Sequence, residues 1–324
     1  MSLANRRVIK LGEREIIKTP LLIPSFSSKG FPDVQVLIDY SDEFIIETYL
    51  ISAYDLSLGH IKVPQSFPEI IFIDSGGYEC SKDVEFSDLN LLPHKPVEWT
   101  EKMHKEVLNN WTSHIPTVAV SFDNPKARFS LDQQIENAKQ LFKGKNFVRE
   151  ILIKPETESQ KQVQISNIIN NIHEFASFDI LGLTEKELGN TLIKRMQNIA
   201  LIRAALTKAD IHIPIHIFGS LDTISTPLYF LAGADIFDGL TWLRMAYHKG
   251  FTMYMHNCAI YDHGPKLQDQ HIKTRIITKN CYALQELQLS MGRYLNHREF
   301  KEFTFHSELF ERTFQDLISV LGGT

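Results

Sequence analysis

The chain has 324 residues, of which 43% are hydrophobic and 23% charged, a composition that fits one large or two ordinary folded domains. Its formal net charge of −5 at pH 7 excludes a protein coated evenly in positive charge for nucleic acid. That average hides a split, because positions 241–301 hold nine lysines or arginines against four acids.

The N-terminal stretch "MSLANRRVIK" lacks the apolar segment of a signal peptide, and the sequence contains no run of about 18 apolar residues that could span a membrane. Three cysteines, Cys80, Cys258 and Cys281, are too few for a disulfide framework. We therefore expect a cytoplasmic protein in a reducing environment, without a membrane partner.

Eight short runs of β-branched and aromatic residues recur along the chain, each ending in a polar break. Such near-continuous apolar runs are typical of strands buried on both faces of a parallel sheet. The predicted strands cover residues 19–26, 44–51, 70–74, 117–123, 149–155, 178–184, 211–219 and 234–239.

Amphipathic patterns lie between these strands. Residues 130–144 begin at an N-cap serine and end at a glycine, and residues 186–206 place apolar residues at intervals of three and four. The alternation predicts an α/β protein with a (β/α)8 TIM barrel over residues 1–244. A doubly wound open sheet is the alternative, but no GxGxxG motif follows the first strand.

The remaining residues, 245–324, are predicted to form a helical, basic subdomain packed on the barrel. Five of the thirteen histidines also lie between positions 241 and 301. A positive patch on an acidic body could hold a phosphate backbone, although a solvated, lysine-rich surface explains the same composition.

Polar residues and glycines stand at the predicted strand ends, where function collects in a (β/α)8 barrel. A single aspartate at such a position is most often a helix cap or a turn residue. Three aspartates that converge on one mouth instead predict a site. The strand ends carry Asp74, Asp123, Lys154, Gly182 with Thr184, Ser220 and Asp238.

Converging carboxylates have three common uses. Metal binding is disfavoured here because only His216 lies near another strand end. Glycosidic chemistry uses one carboxylate as nucleophile and another as acid and base. Carboxylates also bind the N–H edge of a heterocycle. Gly76 and Gly77 would let such a flat ligand approach the backbone, and the rings of Tyr78 and Phe218 would stack on it. For either ring taken alone, ordinary core or loop packing is the favoured explanation.

Six motifs, in order between residues 19 and 244, resemble those of the tRNA-guanine transglycosylase family. They are "TPLLIPSFSSKG" (19–30) for TPxFMPV, "ISAYDLSLG" (51–59) for NTYHL, "IDSGGYE" (73–79) for DSGGFQ, "VSFDNP" (120–125) for FDE, "ILGLTEKELG" (180–189) for GGLAVGE, and "HIFGSLDTISTPLYFLAGADIFDGLTWLR" (216–244) for MGVGTPxDLxxAVxxGxDMFDCVxPTR. Each motif is weak alone, but their order and barrel-like spacing make the resemblance specific.

The resemblance implies an enzyme that exchanges a guanine in a polynucleotide for a 7-deazaguanine base. Asp238 would be the nucleophile of a covalent glycosyl intermediate, and Asp74 would protonate the leaving guanine and deprotonate the incoming base. Among the implied substrate-binding residues, Asp123 would bind the pyrimidine edge of the base and Arg244 a phosphate. The implied set is Ser75, Gly76, Tyr78, Asp123, Lys154, Gly182, Leu183, Glu187, Phe218, Gly219 and Arg244.

The chain departs from the family where a CxCxxC motif and a later histidine bind zinc. Leu284 and Leu287 stand at two of the cysteine positions. Cys258, Cys281 and His306 are weak metal candidates, but tetrahedral zinc sites usually have closely spaced ligand pairs. We therefore expect no cofactor, and a small apolar core in place of the metal.

Two further departures concern the substrate. Lys154 stands where the family has a glutamine that contacts the base carbonyl, and Glu79 replaces another glutamine. The rebuilt C-terminal region resembles paralogues that insert 7-deazaguanines such as preQ0 into DNA, so DNA is favoured over tRNA. Family enzymes often form homodimers, and some act with a helper subunit, so either is an expectation here.

Two other functions stay open. A non-catalytic nucleic-acid-binding subunit would explain the altered metal region and Lys154, although both catalytic aspartates are retained. A barrel hydrolase that cleaves a free nucleoside or glycoside would make the basic segment incidental.

Overall fold

The computed structural model describes residues 3–45, 47–62, 68–81 and 94–322, and a barrel of eight parallel strands lies at its centre. An antiparallel hairpin, β1 (Val8–Leu11) and β2 (Arg14–Lys18), precedes it. The barrel strands are β3 (Leu21–Pro24), β4 (Thr48–Ser52), β5 (Ile70–Asp74), β6 (Thr117–Val120), β7 (Val148–Ile153), β8 (Ile180–Thr184), β9 (Ile215–Phe218) and β10 (Ile236–Gly239). The predicted (β/α)8 barrel is confirmed, and each predicted run overlaps one of its strands. Strands β4 and β7 each extend one residue beyond the predicted run, to Ser52 and Val148. Ile46, in the second run, lies outside the described residues.

The barrel strands follow one another around the sheet in chain order, and β10 returns to pair with β3. Closure between β3 and β4 is nearly complete, through a parallel bridge of Ser25 with Leu50. The side chain of Gln288 fills the gap nearby, since its Oε1 accepts from Leu22 N–H at 2.8 Å and its Nε2 donates to Glu47. A residue from outside the sheet thus satisfies a backbone donor that a neighbouring strand would otherwise pair.

Apolar side chains fill the barrel interior toward the N-terminal ends of the strands. The buried cluster there includes Leu21, Ile23, Ile70, Phe72, Val118, Val120, Val148, Ile180 and Ile236. Ile9, Leu11, Ile16 and Ile17 of the preceding hairpin pack against it. Alternate strand residues face outward into a larger apolar core beneath the helices. The N-terminal end of the barrel is therefore plugged, and the opposite end is left for a site.

Side chains cap free N–H groups at the start of some of the described helices. Ser130 accepts from Gln133 N–H at the start of the helix at Leu131–Phe142, and Thr191 accepts from Lys194 N–H at the start of the helix at Leu192–Lys208. The helices are α1 (Val34–Ser41), α2 (Ala53–Ser57), α3 (Gly77–Cys80), α4 (Glu101–Asn110), α5 (Leu131–Phe142), α6 (Ile165–Asn170), α7 (Leu192–Lys208), α8 (Ser225–Leu231), α9 (Thr241–Arg244), α10 (Met255–His263), α11 (Asp269–His297) and α12 (Ser307–Gly322). None of these helices combines the length and apolar character needed to cross a membrane.

Two boundaries differ from the prediction for local reasons. Helix α7 begins at Leu192 rather than at residue 186, because Thr191 caps it and Glu185–Glu187 form a separate 3-10 turn. Strand β9 begins at Ile215 rather than at residue 211, because Pro214 has no N–H to give to a ladder. The first difference places Glu187 at the barrel mouth instead of on a helix.

After residue 244 the chain forms a hairpin, β11 (Ala246–His248) and β12 (Phe251–Met253), and then α10 to α12. Lys249 and Gly250 make its two-residue turn with φ of 50° and 79°, the positive values that such hairpins require. Buried residues of α11 and α12 join the main core around the barrel, among them Cys281, Leu284, Met291, Phe310 and Leu317. The segment therefore packs on the barrel.

Candidate active site

A cavity of about 760 Å3 opens at the C-terminal ends of the strands, and every barrel strand or the loop after it contributes to its wall. Gly76, Gly182 and Leu183 lie behind that wall. The other predicted site residues line the cavity: Asp74, Ser75, Tyr78, Asp123, Lys154, Glu187, Phe218, Gly219, Asp238 and Arg244.

Asp74 ends β5 and begins a tight turn. Its Oδ2 accepts a hydrogen bond from Gly76 N–H at 3.1 Å, so the carboxyl group is folded over its own backbone. Burial raises the pKa of Asp74 to about 7, helped by the negative charges of Asp238 and Asp123 and opposed by the Gly76 N–H. Asp74 is therefore close to half protonated at neutral pH, and the other two aspartates are near enough to affect it.

Gly76 and Gly77 are needed for packing around Asp74. Gly76 has a φ of 86°, and a Cβ there would lie 2.8 Å from Tyr54 Cβ and 2.9 Å from Trp99 Nε1. A Cβ on Gly77 would lie 2.8 Å from Asp123 Oδ2. The glycine pair thus lets Asp74 and Asp123 come together, whereas the sequence suggested only that a ligand could approach the backbone.

Ser75, between these residues, is buried, and its carbonyl accepts from Trp99 Nε1 at 2.8 Å. Its hydroxyl is buried and has no hydrogen-bond partner among the described residues.

Asp238 lies in β10 with 6% of its surface exposed, and both of its carboxylate oxygens are held. Oδ2 accepts from Ser25 Oγ at 2.8 Å, and Oδ1 accepts from Gly219 N–H at 3.0 Å. His216 Nε2 lies 3.4 Å from Oδ1, within ion-pair range but longer than a good hydrogen bond. Donors on both oxygens therefore fix the orientation of the carboxyl group.

His216 and Glu150 form a fully buried pair beneath the cavity. Glu150 Oε1 lies 2.7 Å from His216 Nδ1. Burial alone would lower the pKa of His216, but Glu150 and Asp238 outweigh it and raise the pKa to about 9. Burial raises the pKa of Glu150 despite the opposing effect of His216. A positive imidazole therefore faces Asp238 from below.

Gly182 and Leu183 alternate in direction along β8. A Cβ on Gly182 would lie 2.8 Å from the Phe218 ring and 2.9 Å from Glu150 Oε1, so the glycine leaves room for both side chains. The Leu183 side chain is buried in the main core, outside the barrel. Only the backbone of these residues is left for the base contacts that the resemblance implies.

Lys154 follows β7, and its ammonium is buried among oxygen atoms. Nζ lies 2.9 Å from Glu187 Oε1 and 3.3 Å from Asp123 Oδ2, and it donates to Thr184 Oγ1 at 3.1 Å. Burial would lower the pKa of Lys154, but the two carboxylates more than offset this and raise it. Arg128 pairs with the other oxygen of Asp123 at 3.0 Å. This side of the cavity therefore presents fixed donors and acceptors together.

Tyr78 and Phe218 line the cavity, and each ring already has one neighbour. Lys29 Nζ lies 4.3 Å from the centroid of the Tyr78 ring, and Phe218 stacks on the His216 imidazole with centroids 4.0 Å apart. Arg244 donates to the Tyr78 hydroxyl at 2.6 Å. The arginine predicted to contact a phosphate is therefore anchored at the cavity by the ring beside it.

Glu79, the second substituted glutamine position, is buried next to Asp74. Its oxygens accept from the hydroxyl groups of Ser27 and Ser52. Burial raises the pKa of Glu79, and the nearby carboxylates of Asp55 and Asp74 raise it further. A buried carboxyl group with a raised pKa therefore stands where the family has an amide.

The three weak metal candidates lie in different surroundings. Cys281 is buried in the main apolar core, and His306 Nε2 pairs with Gly250 O at 2.9 Å. Cys258 packs in a small separate cluster between the hairpin and α10. These three residues therefore do not form one ligand set.

Cys258 does lie near two other groups that could ligate a metal. His248, Cys258 and Asp262 have ligand atoms within 4.8 Å of one another, the one such group found in the described part of the chain. The Lys279 ammonium contacts Asp262 and lies 3.3 Å from His248 Nδ1. A cation from the protein itself thus already neutralises the carboxylate of this group.

No protein-family model matches the chain, and no curated protein matches it. The resemblance to tRNA-guanine transglycosylases is therefore carried by the ordered motifs. The activity is a proposal, argued from those motifs and from the geometry of the cavity.

Sequence reasoning missed Ser25 and Glu150, and it considered His216 only as a metal ligand. A signal was present, since Glu150 and His216 are polar residues inside the apolar runs "REILIKP" and "IHIPIHIFG". They stand four and two residues before Lys154 and Phe218, and side chains at even spacing on a strand share a face. Counting back from the predicted site residues would have found both.

Proposed function

We propose that the protein is a base-exchange transglycosylase that replaces a guanine in a polynucleotide, preferably DNA, by a 7-deazaguanine base of the preQ0 type. One observation carries the proposal: Asp74 and Asp238 line the same cavity and affect each other electrostatically, with Asp123 beside them. Two carboxylates that face one anomeric carbon are the usual equipment for retaining glycosyl transfer.

The exchange takes two balanced steps. In the first, a carboxylate oxygen of Asp238 bonds to C1′, the C1′–N9 bond breaks, and guanine leaves with the bonding electron pair and a proton from Asp74. In the second, Asp74 takes the proton from the ring nitrogen of the incoming base, that nitrogen bonds to C1′, and Asp238 leaves as a carboxylate. The aspartyl ester preserves the energy of the glycosidic bond, so no nucleotide cofactor is needed.

The environments of the two carboxyl groups support this division of roles. The pKa of Asp74 is raised to about 7, so the group can both give and take a proton near neutral pH. Asp238 is held in one orientation, because Ser25 and Gly219 donate to its two oxygens and His216 lies beside one of them. Carboxyl groups with different environments in one site are a common way to separate an acid from a nucleophile.

The opposite side of the cavity supports recognition of a base. The carboxylates of Asp123 and Glu187 can accept from the N–H edge of a guanine, and Lys154 can donate to a carbonyl or nitrile. Because Lys154 already bridges both carboxylates, the base would enter a network whose polar atoms are held in advance.

The surroundings of the cavity support a polymeric substrate. Arg244, at the cavity, lies 5.9 Å from the Phe31 ring, and Lys273 of α11 lies 5.2 Å from the same ring. The basic C-terminal segment thus reaches the mouth, where phosphates flanking an extruded nucleotide would pass. Its lack of the family's zinc cysteines motivates the preference for DNA over tRNA.

The test is incorporation of labelled base. Purified protein is incubated with radiolabelled guanine and, separately, with single-stranded DNA, duplex DNA or mixed tRNA, and the recovered polymer is counted. We expect label in DNA, less in tRNA, and none with Asp238→Asn. Label in neither polymer contradicts the proposal, and label in tRNA alone contradicts the preference for DNA. Turnover of free nucleosides without a polymer would indicate the hydrolase instead.

A further inference from the structure

A chain of polar contacts crosses the barrel beneath the cavity. Glu150 on β7 contacts His216 on β9, two strands away, at 2.7 Å. The strand between them, β8, carries Gly182 at the crossing point, where a Cβ would lie 2.9 Å from Glu150 Oε1. His216 then reaches Asp238 on the next strand, β10, at 3.4 Å. The side chains of Glu150 and His216 thus connect β7 to the proposed nucleophile, across the space that Gly182 leaves on β8.

We propose that His216, held by Glu150, is a positioning residue that orients the Asp238 carboxylate and fixes which of its oxygens attacks. The inference rests on the proposed function and adds to it a residue pair that does not touch the substrate. Like the carboxylate that orients a catalytic histidine in hydrolases, Glu150 fixes the ring through one nitrogen and leaves the other for the reacting group.

The surroundings of His216 leave few alternatives for its second nitrogen. The ring is fully buried, stacked on Phe218 at 4.0 Å and edge-on to Phe72 at 5.8 Å. The charged groups that contact it are Glu150 from β7 and Asp238 from β10. Nε2 therefore faces an oxygen of Asp238 or nothing polar, and a contact of 3.4 Å can shorten when a substrate binds.

The pair is costly to the fold, which argues against a purely structural role. Buried ion pairs often add no stability over apolar side chains of similar size. Glu150 Oε2 is buried and has no hydrogen-bond partner among the described residues. The remaining inward-facing residues of this interior are largely apolar, so two leucine-sized or phenylalanine-sized side chains would fit the local pattern.

The contacts also separate the two oxygens of Asp238. Oδ1 faces the His216 imidazole and accepts from Gly219 N–H, whereas Oδ2 has one neutral donor, Ser25 Oγ. Oδ2 therefore keeps more electron density for bonding to C1′. When the second base arrives and the ester breaks, the charge returned to the carboxylate is stabilised by the imidazolium.

One experiment needs no substrate. Nitrogen NMR of the imidazole, assigned by the signal lost in His216→Phe, reports how many protons the ring carries. We expect both ring nitrogens to be protonated at pH 7 in the wild type, and a lower imidazole pKa in Glu150→Gln and in Asp238→Asn. A ring that is neutral at pH 7, or unaffected by Asp238→Asn, overturns the inference.

The second arm measures the rate of adduct formation with an oligonucleotide, together with urea unfolding. Glu150→Gln is expected to slow adduct formation by about 10- to 100-fold, the range typical when a partner that orients a functional side chain is removed. The oligonucleotide concentration that gives half the maximal rate should not change. The double variant Glu150→Leu/His216→Phe should be as slow, yet at least as resistant to urea as the wild type. If the pair is only structural, the double variant should unfold at a lower urea concentration than the wild type and form the adduct at the wild-type rate.

The outcomes separate the two proposals. If the wild type forms the adduct and the variants match its rate, the positioning role fails and the proposed function stands. If the wild type forms no adduct with any polymer, the proposed function fails, and the NMR of Asp238→Asn alone decides whether His216 and Asp238 are a charged pair.

Discussion

Two aspartates three positions apart, one just before β10 and one within it, show how differently the ends of this barrel are built. Asp235, just before β10, is 1% exposed and pairs with Arg203 and Arg7 at 2.5 and 2.6 Å. It also accepts from Ile215 N–H at 2.8 Å. Asp238, near the other end of the strand, has neutral donors and one imidazole, and it borders the cavity.

The different surroundings of Asp235 and Asp238 indicate that the N-terminal end of the barrel stabilises the fold and the C-terminal end carries the reactive groups. At the N-terminal end each carboxylate oxygen is saturated by cations and backbone, so the group can do nothing but hold strands and helices together. At the C-terminal end three aspartates border the cavity near one another, and burial together with the charges of Asp238 and Asp123 raises the pKa of Asp74. This is the division expected of a (β/α)8 barrel, with stability at one face and reactivity at the other.

The largest predicted effect comes from comparing Asp238→Asn with Asp235→Asn. The first should leave unfolding by urea little changed and reduce the adduct rate to less than about a thousandth, because the nucleophile is gone. The second should cost about 3–5 kcal/mol of unfolding free energy, because Arg203 and Arg7 lose their buried partner, and should keep the rate per folded molecule. Equal loss of activity in both variants would contradict the division.

A smaller effect is expected at Asp74, and it depends on pH. Because its pKa in the folded protein is about 7, well above the usual value for an aspartate, adduct formation should decline as the pH rises through 7. Asp74→Asn should slow adduct formation by about 10²- to 10⁴-fold and remove this decline. A wild-type rate that stays flat from pH 5.5 to 8.5 would contradict the acid role.

The same shift predicts a stability profile. Between about pH 4 and 7 the unfolded chain releases the Asp74 proton while the folded protein keeps it, so folding stability falls with rising pH across that window. Asp74→Asn should therefore gain stability over the wild type above pH 7 and little below pH 4. Urea midpoints at pH 4 and pH 8 measure the difference.

Two glycines offer a comparison of intermediate size. Gly182→Ala should cost about 1–3 kcal/mol, because its Cβ meets Glu150 and Phe218, and it should slow the adduct by moving His216. Gly292→Ala in α11 is the matched control, since the nearest atom is 3.9 Å away and helix propensity favours alanine by about 0.5–1 kcal/mol. If Gly182→Ala changes neither the unfolding free energy nor the rate of adduct formation, the contact between Glu150 and His216 does not depend on the missing side chain at Gly182.

The smallest effect on stability is expected for Arg128, a partly exposed cation at the edge of the cavity. Arg128 pairs with Asp123 and is partly exposed, so Arg128→Gln should change the unfolding free energy by no more than about 1 kcal/mol. It should also alter the affinity for free guanine, because one oxygen of Asp123 is released. Arg203→Gln, which breaks a buried pair, should be several times more destabilising.

The barrel was predictable because its strands are buried on both faces and so appear as continuous apolar runs. Details that depend on distant residues were not. Gln288 completes the β3 edge from a helix more than 260 positions away, and no local pattern announces it. The late start of α7 was readable in principle, since Thr191 is a strong N-cap residue, but the apolar spacing upstream concealed it.

The site was predictable to the extent that parallel strands bring their ends together. Asp74, Asp123 and Asp238 follow from that rule and from the motifs. The Glu150–His216 contact does not, because it skips a strand and exists only where Gly182 leaves a gap. Gly76 was assigned to a ligand, whereas its positive φ and its packing against Tyr54 and Trp99 explain it without one.

The central claim is that Asp74 and Asp238 act on one nucleotide. The direct measurement is mass spectrometry of the denatured protein after incubation with a short guanine-containing oligonucleotide, followed by peptide mapping. The account predicts a protein heavier by the oligonucleotide minus one guanine, with the sugar attached to Asp238. An unmodified protein, or an adduct on another residue, would contradict it.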